Sequence, residues 1–216
     1  MAAMTRQQLT IGVAAALAAG LMWGLVFVAP LLLPDYPATL LTFGRYLAFG
    51  LVTLPIAWWQ RAALKRLTRA DWWLAIKLSL VGNIIYYLAL SAAIRLAGAP
   101  LPTLIIGTLP VVIAVCSNLN DRQFSWARLL PSLVLIGLGL LCVNADQLAR
   151  LDANNAVAAY AMGAGLAVVA NAAWTWYPIH NARWLKAHPA HSSTTWASAQ
   201  GIATLPMAVV GLLVSV

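Results

Sequence analysis

The sequence predicts an all-α integral membrane protein: seven transmembrane helices, read as the truncated front of a ten-helix inverted 5+5 repeat. Three observations predict it. Apolar residues make up 62% of the 216 and charged residues only 8%, with five Asp and no Glu. So few charges could not cover a water-soluble domain of this length. Seven apolar stretches are each about as long as the roughly 20 residues a helix needs to cross hydrocarbon. Finally, a tryptophan–proline spacing recurs at an offset of 151 residues. Period-2 alternation in ten-residue segments is absent, which argues for helices over a barrel.

The segments follow in order. Residues 9–33 form the first, with Gly20-Leu21-Met22-Trp23-Gly24 at its centre, and Pro34-Asp35-Tyr36-Pro37 ends it. Residues 38–59, 72–96 and 99–119 are the next three, and Gly98-Ala99-Pro100 leaves almost no loop between the last two. Residues 126–145, 156–180 and 192–216 complete the set. Short connections force antiparallel neighbours. The net charge of +8 is spread in bursts between apolar runs, without aromatic interleaving on a polar face. It therefore orients the chain in a bilayer, and nucleic acid is not expected as a partner. Ten Lys and Arg fall on one set of ends, Arg61, Lys65, Arg66, Arg69, Arg183 and Lys186 among them; only Arg95 and Arg150 fall on the other. The N-terminus is expected to be cytoplasmic.

Trp23 and Pro55 are 32 residues apart, and so are Trp174 and Pro206. The offset carries the sixth segment onto the first and the seventh onto the second. A unit of five spans, an odd number, starts its second copy from the other side of the membrane, and transporters of that design hold substrate near the midplane between halves. Only two helices of a second unit are present, so the sequence reads as part of a longer protein.

Polar groups inside hydrocarbon are costly unless partnered or facing a cavity. Asn83, Tyr86 and Tyr87 share one face of the third segment. Asn171, Trp174 and Pro178 form a stripe on the sixth, with Trp176, Tyr177 and His180 nearby. These residues and Trp23 are candidates to line a substrate cavity or, alternatively, to bond neighbouring helices. Trp58, Trp59, Trp72, Trp73, Trp126 and Trp184 sit at span ends, as interfacial tryptophans do. Arg45 could reach outward to Asp35, snorkel to the interface or face a polar cavity. Gly20 and Gly24 read as a packing face, and Gly24, Pro110 and Pro178 as candidate hinges. Cys116 and Cys142 read as buried free thiols, with a disulfide as the alternative, and His188 and His191 as solvated. No carboxylate lies well inside a span, no residue set has metal-ligand spacing, and no nucleophile triad or phosphate loop is present. No enzyme activity, metal or cofactor is expected.

Met22-Trp23-Gly24, Phe43-Gly44-Arg45-Tyr46, Tyr86-Tyr87-Leu88-Ala89-Leu90, Leu109-Pro110-Val111, Asp121-Arg122-Gln123-Phe124-Ser125, Gly137-Leu138-Gly139 and Ala173-Trp174 occur in that order. Together they resemble the drug/metabolite transporter superfamily, specifically its EamA-type members, although Asp121 stands where the family usually has Glu. The resemblance implies a first EamA unit over residues 1–145 and the start of a second over 156–216. It also implies a carrier in the bacterial inner (plasma) membrane, moving amino acids or related metabolites outward. The tryptophan-rich pocket is similar to that of a bacterial exporter of aromatic amino acids. Trp23 and Trp174 would flank the cargo, with Asn83, Tyr86, Tyr87 and Asn171 hydrogen-bonding it. The rivals are efflux of cationic compounds on the same fold, a membrane receptor, and a structural membrane subunit. A retinal-type receptor would need a lysine within its last span, and residues 192–216 contain none.

Overall fold

The computed structural model describes residues 6–121, 126–127, 130–132, 134–135, 137–139, 142 and 155–215. Every regular element among them is helical: α1 (Arg6–Leu32), α2 (Ala38–Trp59), α3 (Arg61–Leu64), α4 (Arg69–Ser79), a π-helical stretch (Leu80–Ile85), α5 (Tyr86–Ala97), α6 (Pro100–Gly107), α7 (Leu109–Asp121), α8 (Asn155–Ala187) and α9 (Ser193–Ser215). The described residues between 126 and 142 are helical too. Part of the fifth expected span, residues 128–129, 133, 136, 140–141 and 143–145, lies outside the described residues, as do residues 122–125 of the motif before it and the charges Arg122, Arg128, Asp146, Arg150 and Asp152.

Among the described residues, five helical runs are long and apolar enough to cross a membrane: Gly12–Leu32, Ala38–Trp59, Arg69–Ala97, Val157–Ala187 and Ser193–Ser215. Their boundaries follow from local chemistry. Pro34 and Pro37 flank the turn after α1. Thr68 caps α4 through a capping box with Asp71, each satisfying the other's backbone N–H. Gly98, at φ 74°, takes the left-handed conformation that stops α5, and Pro100 opens α6 without a donor to lose. Ser192 accepts from the Thr195 N–H (3.1 Å) at the start of α9.

The fourth expected span is not one kinked helix. It breaks at Thr108, so Pro110 falls in the first turn of α7, where its missing N–H costs nothing. The kink expected at Pro110 is instead a break with one helix on either side, α6 before it and α7 after it. Pro178, by contrast, lies inside an uninterrupted α8.

Residue pairs give the helix directions. Across α2 and α9, Phe43 meets Gly211, Gly50 meets Leu205 and Thr53 meets Gly201, so these helices run antiparallel. Ala97 meets Gly163, Gly82 meets Tyr177 and Asp71 meets Trp184, so the Arg69–Ala97 run is antiparallel to α8. Glycine permits these approaches. A Cβ on Gly82 would stand 2.3 Å from Tyr177 Cδ2, and one on Gly211 2.2 Å from the Phe43 ring. Gly20 and Gly24 do not serve this purpose: nothing among the described residues lies within 4 Å of where their Cβ would be.

Three apolar cores form among the described residues, the smallest from Ala97, Leu101 and Tyr160. Tyr46, Tyr86, Tyr87, Leu90, Ala170 and Ala173 belong to one, and Leu78, Trp184, Trp196, Ala199 and Ala203 to another. Leu21, Leu213 and Val214 are 75–83% exposed. Such outward apolar faces suit lipid, not water.

Trp184 is no interfacial tryptophan. It is buried, stacked on Trp196 at 3.7 Å, and donates its indole N–H to Asp71 Oδ1 (2.7 Å). His188 and His191 are half-buried against it and not fully solvated, and His188 Nε2 lies 4.0 Å from Asp71. Trp58, Trp59, Trp73 and Trp126 are exposed. Both cysteines are free; Cys116 is half-buried and Cys142 exposed, so burial is not what they share.

Candidate functional site

Trp174 of α8 is the centre of an aromatic stack. The Trp23 ring of α1 lies 6.2 Å from it at 20°, Tyr86 of α5 at 4.5 Å, and Tyr177 one turn along α8 at 5.1 Å. Phe27 meets Trp23 edge-on at 5.9 Å. Trp174 and Tyr177 share a face because they are three residues apart on one helix. Tyr86 reaches them because it follows a π-helical stretch, whose extra residue per turn re-aims the face below it. Gly82 lies in that stretch and gives Tyr177 room.

Polar groups edge the stack. The Tyr86 hydroxyl is buried without a hydrogen bond of normal geometry, although the Trp23 indole approaches it. An unmatched buried hydroxyl is an offer to a ligand or a water. Tyr177 donates to Gln200 Oε1 (2.9 Å), and Gln200 Nε2 donates to Asn181 Oδ1 (3.0 Å), which also accepts from Trp196 Nε1 (2.8 Å). Asn83 donates to Thr204 Oγ1 (3.0 Å), while Ser79 and Thr204 both donate to the Gln200 carbonyl. A hydrogen-bonded strip thus runs from the stack toward the α8–α9 turn.

On another face of α8 a groove of about 620 Å3 opens toward α6 and α7. Asn171 donates to the carbonyl of Ile105 and to Thr108 Oγ1 (2.8 Å), and accepts from Thr175 (3.3 Å). It therefore occupies a carbonyl at the helix break. His180 also lines the groove, stacked on Trp176 at 4.1 Å with its Nδ1 2.8 Å from the Trp176 carbonyl.

The expected site residues consequently divide. Trp23, Tyr86, Trp174 and Tyr177 come together; Asn83 is beside them but committed to Thr204. Asn171 and His180 belong to the groove. Tyr87 points elsewhere, under the Arg45 guanidinium at 4.8 Å and edge-on to Tyr46. Gly24 faces open space; Pro110 begins α7 next to the groove, and Pro178 follows Tyr177. Gln200, Thr204, Asn181 and Thr108 are additions. Gln200 could have been found, being an amide eight residues inside an apolar span.

Gly50-Leu51-Val52-Thr53-Leu54-Pro55 also has a counterpart in Gly201-Ile202-Ala203-Thr204-Leu205-Pro206, 151 residues on. The counterparts are reciprocal in space: Gly50 packs on Leu205 and Gly201 on Thr53. Thr53 donates to the carbonyl of Phe49 and Thr204 to that of Gln200, again 151 residues apart.

No group of three or more potential metal ligands occurs among the described residues. What the site offers is stacked π-faces, hydroxyls and amides, a surface for binding rather than for bond-making.

The model of the EamA-like transporter family matches residues 10–145. Over 208 residues the chain is 49% identical to the inner membrane protein YtfF of Escherichia coli (strain K12), an alignment covering 94% of this chain and 65% of that protein. The chain thus spans less than two thirds of that relative's length. No solved structure matches.

Proposed function

Because the chain belongs to the EamA-like transporter family, we propose that it is an inner-membrane secondary carrier exporting small metabolites, amino acids with apolar or aromatic side chains among them. The carrying observation is the stack of Trp23, Tyr86, Trp174 and Tyr177, in which the two tryptophans that correspond at the 151-residue offset meet face to face. An aromatic or apolar side chain is received by such faces at little entropic cost, since the rings are already held. The buried Tyr86 hydroxyl then serves a polar end of the cargo.

Alternating access needs two arrangements of the same elements. The antiparallel packing of α2 on its counterpart α9, with reciprocal glycine contacts, supports an inverted repeat. Rocking about that seam would move the α1 side of the stack relative to the α8 side. The break at Thr108, with Pro110 after it, and the positions of Gly24 and Pro178 are where the helices would flex. The charge bias supports a cytoplasmic N-terminus.

The family match makes enzymatic chemistry the weaker reading. Efflux of cationic compounds is the specific competitor, because π-faces also attract cations. Everted membrane vesicles carrying the complete protein separate the two. Saturable uptake of radiolabelled L-phenylalanine, unaffected by ethidium, supports amino-acid export. Ethidium uptake indifferent to amino acids would replace it with the cationic reading.

A further inference from the structure

Arg45 lies seven residues beyond the start of α2, about 10 Å along the helix at ~1.5 Å per residue. Arginine keeps its charge in proteins and carries N–H donors that need acceptors. Its guanidinium carbon is 4.8 Å from the Tyr87 ring centroid and 5.7 Å from that of Tyr46. Those rings hold the cation in place but give its donors no acceptor in the plane. Among the described residues Arg45 has neither an ion pair nor a hydrogen bond. Its counterpart on the same set of ends is settled differently: Arg95 donates to the carbonyls of Pro34 and Tyr36.

Arg45, an exposed residue, lines a cleft of about 450 Å3 between α1 and α2, with walls that include Leu25, Ala29, Leu33 and Gly44 and a margin formed by Tyr87. That is a usual size for a small-molecule site, apolar with one strong polar anchor. Tyr87 is the chain neighbour of Tyr86, whose ring stacks on Trp174. The cleft and the aromatic stack therefore lie on neighbouring residues of α5.

We propose that Arg45, braced by Tyr46 and Tyr87, is an oxyanion-binding site whose occupant is the carboxylate of the cargo. A planar guanidinium matches a carboxylate with two parallel hydrogen bonds. The assignment narrows the cargo to molecules bearing an acid group, and in that respect it rests on the transport reading above. A lipid headgroup phosphate offers the same oxyanion chemistry from a second source.

The test uses the complete protein in nanodiscs with two probes, L-phenylalanine and L-phenylalaninamide, which differ in the carboxylate. Arg45→Gln should weaken L-phenylalanine binding roughly tenfold or more and leave the amide almost unchanged. Arg45→Lys, which keeps the charge but not the paired donors, should fall between and shows that the fold survives. An equal effect on both probes, or none on either, overturns the carboxylate assignment. If Arg45→Gln spares L-phenylalanine but releases co-purified phosphatidylglycerol, the oxyanion is the headgroup and the cargo assignment falls. Wild-type protein that binds neither probe but retains phosphatidylglycerol through Arg45 would sink the amino-acid reading while keeping the oxyanion site. Binding of neither, with no retained lipid, sinks both.

Discussion

Gly82 and Tyr177 are the tightest pairing around the stack, and their substitution separates packing from function. A methyl at Gly82 would meet the Tyr177 ring at 2.3 Å. Gly82→Ala should therefore destabilise by roughly 1–3 kcal/mol, as overpacking does, and shift tryptophan emission by displacing Tyr177 from Trp174. Gly24→Ala has open space and should stay within about 0.5 kcal/mol of wild type. Thermal unfolding of both in detergent checks the contrast, and equal shifts would refute the placement of α8 on the π-helical stretch Leu80–Ile85. Trp184→Phe removes the N–H that reaches Asp71 (2.7 Å) and should cost about 1–3 kcal/mol. An unchanged melting temperature would put Trp184 back at the interface. At this scale the indoles at 23 and 174 were legible, because a large amphipathic side chain amid apolar residues stands out. Which glycines matter was not. Gly20 and Gly24 have the spacing of a packing face but no described residue within 4 Å of where a Cβ would stand, whereas Gly82 and Gly201 have no such spacing and are filled by Tyr177 and Thr53. A glycine's role is set by the partner helix, which local sequence does not name.

The elements were read well where breakers sit between them and less well where the irregularity lies inside a span. Pro34, Pro37 and the Gly98-Ala99-Pro100 turn mark their boundaries as expected. The break at Thr108 showed only as a kink at Pro110, and the π-helical stretch at Leu80–Ile85 left no clear signal, since each involves a group from elsewhere: Asn171 at the first, Tyr177 and Thr204 at the second. Asn171 read as a ligand for cargo or, alternatively, as helix glue, and the structure shows it bonding the Ile105 carbonyl and Thr108. Asn171→Ala should remove the cross-helix donor to that carbonyl and to Thr108, leaving the carbonyl only the Thr108 hydroxyl (2.7 Å) as a side-chain donor, and loosen the α6–α7 junction by about 1–2 kcal/mol. Hydrogen exchange should speed up at residues 105–112 and not in α2 or α9. Protection unchanged across the junction would mean the break is held by other contacts.

For the whole molecule, membrane class followed from composition alone, and the family match over residues 10–145 agrees with it. The internal offset was visible in two tryptophans and their prolines, but the stronger signal, Gly-x-x-Thr-Leu-Pro at 50–55 and 201–206, lay in small residues that look ordinary until the two stretches are seen packed together. The antiparallel seam is open to a direct check. In a background without Cys116 and Cys142, Phe43→Cys with Gly211→Cys should cross-link under mild oxidation, and Phe43→Cys with Thr195→Cys should not. The opposite outcome would reverse α9 against α2. The central claim is that cargo binds where Trp23 and Trp174 meet. Its most direct test is export of radiolabelled L-phenylalanine from cells carrying the complete protein, beside Trp23→Ala and Trp174→Ala at matched membrane levels. Both variants should lose export by roughly tenfold or more, as expected when an aromatic binding surface is removed. Export at wild-type rates in both would contradict the account.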